Sequence, residues 1–268
     1  MTGVQIPFTK AHGALNDFLL TWAREAGALD RAAVARAICH RHAGIGADGW
    51  IVVSPAAPEH AEIELWNADG SRAELSGNGT RCAAAWLVDL GLASEHVQLR
   101  TGAGRKELRL LSRRGAEFAF EMNMGTPAFP ADAPIRLRLR DGEREAVLVD
   151  VGNPQCAFPV ENFDFDWRAA GAEAERHPRF PNRTNVSFFR VTSRRAIEVR
   201  FWERGAGETM SSGTGSTGAV AAAARLGLVD DEVTVETPAG PLSVRRAGDY
   251  YLTGPAVLIG SGRFTLPG

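Results

Sequence analysis

An internal repeat constrains this chain more than any other feature. Residues 62 to 104 align without a gap on residues 198 to 240, at a constant offset of 136 in a chain of 268, and 14 of the 43 positions are identical. The matches include Glu62 with Glu198, Trp66 with Trp202, Ser76-Gly77 with Ser212-Gly213, Leu90-Gly91-Leu92 with Leu226-Gly227-Leu228, and Ala103-Gly104 with Ala239-Gly240. Gly- and Ala-rich stretches match readily by chance. Two tryptophans, each ten residues before a Ser-Gly pair, do not. A period close to half the chain predicts two similar halves facing one another.

Each copy has the same local grammar. Ala61 to Trp66 and Ile197 to Trp202 alternate with the period of two that lays one face of a strand on a core. A polar loop and a Ser-Gly-x-Gly turn follow, then an Ala-rich run over Cys82 to Leu90 or Ala219 to Leu226 that favours helix. Gly91 and Gly227 stand where a left-handed C-terminal cap is easiest for glycine. Strands are expected next at Val97-Gln98-Leu99 and Val233-Thr234-Val235. Further strands are predicted at Trp50 to Val53, Ala146 to Val151 and Val186 to Val191, and amphipathic helices over Asp17 to Ala28 and Arg31 to His42. The expected fold is mixed α+β, two similar halves with a central helix in each. The Pro-rich stretch from Thr126 to Pro134 is the expected crossing, which gives domains of 1–125, completed by 258–268, and 126–257.

Composition excludes several classes. Hydrophobic residues at 44% and charged residues at 23% are the balance of a globular protein able to bury a core. Thirty basic and thirty-two acidic residues give a net charge of −2, so a general electrostatic grip on nucleic acid is not expected. No apolar run approaches the ~20 residues that span a bilayer, and MTGVQIPFTK has no signal-peptide core, so a soluble cytoplasmic protein without a membrane partner is expected. Cys39, Cys82 and Cys156 are odd in number and widely spaced, which encodes neither a disulfide framework nor a zinc knuckle.

The two glycine turns carry the chemistry. In each copy the serine occupies the N-cap position, and Gly-Asn-Gly or Gly-Thr-Gly lets backbone N–H groups converge at the positive end of a helix, where an anion is held well. Singly, Ser76 and Ser212 are good caps. As a symmetric pair they would enclose one small carboxylate and present one side chain to each of its faces. That suits removal of a proton from one face of an α-carbon and its return on the other, with donors stabilising the carboxylate as it gains enolate character. Two thiols would do this at neutral pH; an unassisted hydroxyl is a much weaker acid than a thiol, whose reference pKa is ~8.5.

At these residues the sequence resembles the diaminopimelate epimerase family, which is cofactor-independent. The resemblance runs through Phe8-Thr9-Lys10, His12-Gly13, Asn16-Asp17-Phe18, Gly44-Ile45-Gly46-Ala47-Asp48, Asn67-Ala68-Asp69-Gly70-Ser71 and Gly77-Asn78-Gly79-Thr80-Arg81-Cys82. It continues through Gly152-Asn153-Pro154, Phe180-Pro181, Arg183-Thr184-Asn185-Val186, Glu203-Arg204-Gly205, Gly207-Glu208-Thr209, Gly213-Thr214-Gly215 and Thr253-Gly254-Pro255-Ala256. It implies an α+β fold of two pseudo-symmetric domains, each a curved, mostly antiparallel sheet around a central helix, and a PLP-independent isomerase of amino acids in lysine and peptidoglycan precursor synthesis, with a small-molecule substrate in a cleft between the domains, no cofactor and no metal. The oligomeric state is left open, a homodimer included. Carried over by position, Gly77, Asn78, Gly213 and Thr214 would hold the reacting α-carboxylate. Asn16, Asn67, Asn153, Asn185, Glu203 and Arg204 would line the rest of the pocket, some of them reading the distal amino-acid end of the substrate.

The departures are as informative. Where the family places its two catalytic cysteines, this chain has Ser76 and Ser212, and Cys82 does not replace the first. Gly49 and Gln155 stand where the family usually has a glutamine and a histidine. Three functions therefore stand side by side: an epimerase with Ser76 and Ser212 as its acid/base pair, a different isomerase or lyase with another base such as Glu203, and an impaired relative that binds an amino acid. Gly44-x-Gly46-x-x-Gly49 spells a dinucleotide fingerprint in the wrong setting, because it follows a helical pattern and opens a strand. The Ser212 region lacks a G-x-S-x-G elbow.

Overall fold

The computed structural model describes residues 3–266, which divide into two compact units. One runs up to Met122 and takes up the chain again from Gly254; the other is Asn123–Thr253. In chain order the first unit carries β1 (Val4–Gly13), β2 (Asn16–Trp22), α1 (Ala23–Ala26), α2 (Arg31–Cys39), β3 (Gly49–Ala57), β4 (His60–Asn67), β5 (Arg72–Ala73), α3 (Gly77–Asp89), β6 (His96–Thr101), β7 (Gly104–Arg114) and most of β8 (Glu117–Gly125). The second carries β9 (Ile135–Leu139), β10 (Gly142–Asp150), β11 (Pro154–Pro159), α4 (Trp167–Glu175), β12 (Asn185–Ser193), β13 (Ala196–Glu203), β14 (Gly207–Thr209), α5 (Gly213–Arg225), β15 (Glu232–Thr237) and β16 (Gly240–Ala247). β17 (Asp249–Leu266) pairs through its first residues with β16 and through its later ones with β1.

The strand pairings extend the duplication well beyond the aligned residues. In the first unit β1/β2 is antiparallel, β2/β3 parallel, β3/β4 antiparallel, β4/β6 parallel, and β6/β7 and β7/β8 antiparallel. In the second, β10/β11, β11/β12, β12/β13, β13/β15, β15/β16 and β16/β17 repeat that series of directions. The two tryptophans of the repeat now have a reason. Trp66 packs on the core around α2, with Leu19, Trp50 and Val52, while Trp202 packs on α4, where a Cβ on Gly171 would lie only 2.8 Å from its own Cβ.

The next residue along each strand faces the other way. Phe18 and Ile51 lie against Gly79 of α3, and Phe201 lies against Gly215 of α5. Strand alternation thus sets α2 and α3 on opposite sides of one sheet, and α4 and α5 on opposite sides of the other. α3 is buried at every residue from Gly77 to Val88, and α5 from Gly213 to Ala223, which explains their small, apolar composition all round. Each ends as its sequence predicts: Gly91 at φ +69° and Gly227 at φ +72° take the left-handed position after the last turn.

One expectation is overturned. The segment Asp17 to Ala28, read above as an amphipathic helix, begins as the strand β2, which runs to Trp22, and continues into the single short turn of α1. Asp17, Phe18, Leu19, Leu20 and Thr21 are all buried, so the apolar run carries no alternation that would mark a strand. The preceding Ala14 and Leu15, at φ 49° and 61°, form the two-residue turn of a hairpin in which Gly13 pairs with Asn16. Positive φ at both positions is the tight hairpin geometry usually announced by Asn-Gly, a signal missing here. The second predicted helix, Arg31 to His42, exists but stops at Cys39. Among the described residues no helix is long and apolar enough to cross a membrane.

Candidate active site

The two helix starts are built alike. Ser76 (φ −129°, ψ 119°) caps α3, its Oγ accepting from the Gly79 N–H at 3.1 Å. Ser212 (φ −139°, ψ 123°) caps α5, its Oγ accepting from the Gly215 N–H at 3.0 Å. The approach to each serine is tied by the same backbone bond, Ala103 N–H to Glu74 O and Ala239 N–H to Met210 O, both 3.1 Å. The glycines are required: a Cβ on Gly79 would press on Ile51 at 3.0 Å, and one on Gly215 would overlap the Phe201 ring at 2.8 Å. Gly77, Asn78, Gly213 and Thr214 are buried residues, and their N–H groups stand at the positive ends of their helices.

The side chains differ. Ser212 is buried and donates to Glu203 Oε1 at 2.6 Å, a short hydrogen bond to a carboxylate at the end of β13. At the repeat position of Glu203 the first unit has Asn67, whose amide donates instead to Ser71 Oγ at 2.9 Å inside its own hairpin. Ser76 is half-buried. Behind it, Asn78 Nδ2 reaches Asn16 Oδ1 at 3.3 Å, Asn16 Nδ2 reaches Asp48 Oδ2 at 2.7 Å, and Arg81 donates to Asn78 Oδ1 at 2.5 Å. Asp48 and Asp17 share Arg41, and Lys10 also pairs with Asp17. Burial opposes the Asp17 charge, yet the hydrogen bonds and charges of Arg41 and Lys10 hold its carboxyl below the usual range.

In the second unit Asn153 Nδ2 lies 3.4 Å from Thr214 Oγ1, and Gln155 Nε2 donates to Asn153 Oδ1 at 2.7 Å. Asn185 bonds backbone on both sides, donating to Pro154 O at 3.0 Å and accepting from the Arg204 N–H at 3.0 Å. The structure therefore joins Asn16 to Asn78, Asn153 to Thr214, Asn185 to Arg204, and Glu203 to Ser212. Asn67 is bonded within its own hairpin.

Two residues escaped the sequence reading. Glu175, at the end of α4, is 2% exposed. It accepts from the Gly205 N–H at 2.9 Å and Trp202 Nε1 at 3.3 Å and pairs with Arg183 at 3.4 Å, so it anchors the turn that presents Glu203 and Arg204. A glutamate in an Ala-rich helix ordinarily reads as solvated, and nothing in the sequence marks this one as buried. Arg81 is fully buried. It had a signal, since it lies in a helix whose composition leaves no polar face.

The remaining motifs do structural work. Gly44 and Gly46 donate their N–H groups to His40 O and Ile38 O, so the apparent dinucleotide fingerprint wraps the end of α2. A Cβ at Gly49 would lie 2.9 Å from Trp66 O and 3.2 Å from Phe18, so this position excludes a side chain. Cys39, Cys82 and Cys156 are buried free thiols, and burial pushes Cys82 up to about 12. None is poised as a thiolate.

Two units on duplicated sheets of the same topology, each with a buried helix, make up a fold found among racemases and epimerases. Solved structures share it: a probable proline racemase from Agrobacterium radiobacter K84 (TM-score 0.76, 16% identity, 96% of this chain and 92% of that one) and a hydroxyproline epimerase from Agrobacterium vitis with bound trans-4-hydroxy-L-proline (TM-score 0.77, 15% identity, 99% and 94%). Sequence narrows the class. Residues 8–130 and 147–259 match the family described as diaminopimelate epimerase. Diaminopimelate epimerases from Moorella thermoacetica and Halothermothrix orenii are 39% and 35% identical, over 97% and 98% of this chain and 99% of each relative. The chain belongs to the diaminopimelate epimerase family.

Proposed function

We propose that the chain is a PLP-independent epimerase that interconverts LL- and meso-diaminopimelate, with Ser76 and Ser212 acting on opposite faces of the α-carbon. In this reading each unit is a sheet around its buried helix, α3 or α5, and the substrate lies in a cleft with its α-carboxylate on the N–H groups of Gly77, Asn78, Gly213 and Thr214. Asn16, Asn67, Asn153, Asn185, Glu203 and Arg204 line the remainder, Arg204 being suited to the distal carboxylate.

The observation that carries the reading is the bond from Ser212 Oγ to Glu203 Oε1 at 2.6 Å. A hydroxyl alone is a poor base, but one that already shares its proton with a carboxylate passes that proton on as it accepts another. The α-C–H bond breaks, its proton goes to Ser212 Oγ, and the proton of Ser212 goes to Glu203. The electron pair spreads into the α-carboxylate, where the helix-start N–H groups stabilise the growing charge. The O–H of Ser76 delivers a proton to the opposite face, and water restores Ser76 and relieves Glu203 once product leaves. The reverse reaction runs the same steps backward.

The test is ¹H NMR of LL- and meso-diaminopimelate incubated with the protein in deuterated water. Loss of the α-proton signal with interconversion of the isomers is the expected result. Line broadening without exchange would make the chain a binding relative that has lost its chemistry, and neither effect would remove diaminopimelate as the substrate.

A further inference from the structure

Arg81 is a buried cation whose hydrogen bonds go to neutral oxygens of the chain. Its Nε donates to Pro255 O at 3.1 Å, one terminal nitrogen donates to Asn78 Oδ1 at 2.5 Å, and the other, Nη1, is buried without a hydrogen-bond partner. Burial lowers its pKa to about 10. A guanidinium has donors only and a carboxylate has acceptors only, so the chain from Arg81 through Asn78 and Asn16 to Asp48 can run in one direction. Arg81 needs an oxygen, which turns the Asn78 nitrogen toward Asn16; that nitrogen needs an oxygen, which turns the Asn16 nitrogen toward Asp48. Such chains polarise one another along their length.

We propose that Arg81 is a positioning residue that fixes the polarity of the α3 helix start, holding the amide oxygens of Asn78 and Asn16 in bonds to Arg81 and Asn78 so that the start presents N–H donors to its ligand. A donor-lined start accepts a carboxylate and rejects an ammonium group. Through Arg81 the orientation of an amide becomes a determinant of which end of an amino acid this unit takes. The inference deepens the epimerase reading and rests on it for the identity of the ligand, the substrate α-carboxylate. At the repeat position of Arg81 the second unit has Thr217, whose hydroxyl donates within its own helix to Gly213 O at 2.9 Å. The polarity lock therefore belongs to one unit.

The experiment has one arm without ligand and one with it. In the ligand-free protein the side-chain NH₂ signals of Asn16 and Asn78 are assigned by their disappearance in N16D and N78D, and their solvent exchange is measured in the parent and in Arg81→Met. Loss of a bond at the head of the chain should speed exchange at Asn16, which Arg81 does not touch, by about tenfold, with Asn153 unchanged. Unchanged exchange at Asn16 in folded Arg81→Met overturns the proposal. Should that variant not fold, Arg81→Gln, whose amide can present a donor or an acceptor and so removes the one-way constraint, carries the same expectation and the same refutation. In the second arm KM for diaminopimelate should rise about tenfold in Arg81→Met while kcat falls less. A fall in kcat at constant KM would overturn the positioning role. Faster amide exchange together with no turnover or binding of diaminopimelate in any form would leave the polarity lock standing and remove the epimerase reading.

Discussion

Glu203→Gln isolates the step on which the proposed mechanism turns. The amide keeps an oxygen for the Ser212 hydroxyl, and Ser212 keeps its bond from Gly215, so the cap on α5 survives and the folded protein should change little. What is lost is the ability to take a proton. A hydrogen bond of 2.6 Å to a carboxylate is the strong, charge-assisted kind, and removing a positioned general base costs about 10²–10⁴ in rate, equivalent to roughly 3–5.5 kcal/mol of barrier. Deuterium incorporation at the α-carbon, followed from each isomer separately, should give kcat/KM lower by that factor in both directions, since the overall equilibrium is unaltered. The double variant Glu203→Gln/Ser212→Ala should be no worse than Ser212→Ala alone, because the two residues would act as one unit. Activity within about threefold of the parent in Glu203→Gln would refute the relay and leave Ser212 without a base.

Thiol chemistry gives the next expectation. Replacing Ser76 and Ser212 together by cysteine lowers the acid pKa at both faces, each unit being ~1.36 kcal/mol, and turnover should rise by orders of magnitude in the same exchange assay; no gain would mean that Gly49, Gln155 or the pocket had already diverged. In the unaltered chain, iodoacetamide at neutral pH should leave activity untouched, and Ellman's reagent should find its three thiols only after denaturation, because Cys39, Cys82 and Cys156 are buried. Acid unfolding should depend on Asp17. Its folded pKa lies below the ordinary 3.8, so its contribution is full above that value and is lost as pH falls through the folded pKa; Asp17→Asn should flatten the pH dependence of Tm in that window. Glu175→Gln should lower Tm and raise KM, since it weakens the tie on the Gly205 N–H and leaves Arg183 without its carboxylate.

The order of elements in each half was legible because the repeat reports one arrangement twice, and because strand and helix periods differ strongly around Trp66 and Trp202. The failure at Asp17 to Ala28 has a local cause. β2 runs between β1 and β3 and is buried along nearly its whole length, so its residues carry no face preference. Its turn also uses Ala14 and Leu15 at positive φ, where sequence reasoning looks for glycine or asparagine. At the site, the helix starts were legible from Ser-Gly-x-Gly alone, since capping and glycine clearance are short-range demands. The partners were not. Glu175 lies 28 residues before Glu203 in sequence, and only the packing of α4 beside β13 brings it under the turn.

Duplication supplied a symmetric frame, and substitution then charged it asymmetrically. Position 67 is asparagine where its repeat mate, 203, is glutamate; position 81 is arginine where its mate, 217, is threonine. The first unit thus has a buried cation behind its serine-capped helix, and the second has a carboxylate on its serine. A racemising site with two equivalent thiols needs no such division, because each thiol serves as acid or base in turn. Two serines need help of different kinds. In the proposed mechanism the carboxylate beside Ser212 favours its taking a proton, while Arg81 acts at the other helix start by orienting the Asn78 amide. Glutamate in place of asparagine on one side of the repeat, and arginine in place of threonine on the other, therefore give the two serines different neighbours, so that in the proposed reaction Ser212 passes its proton to a carboxylate in one direction and takes it back in the other.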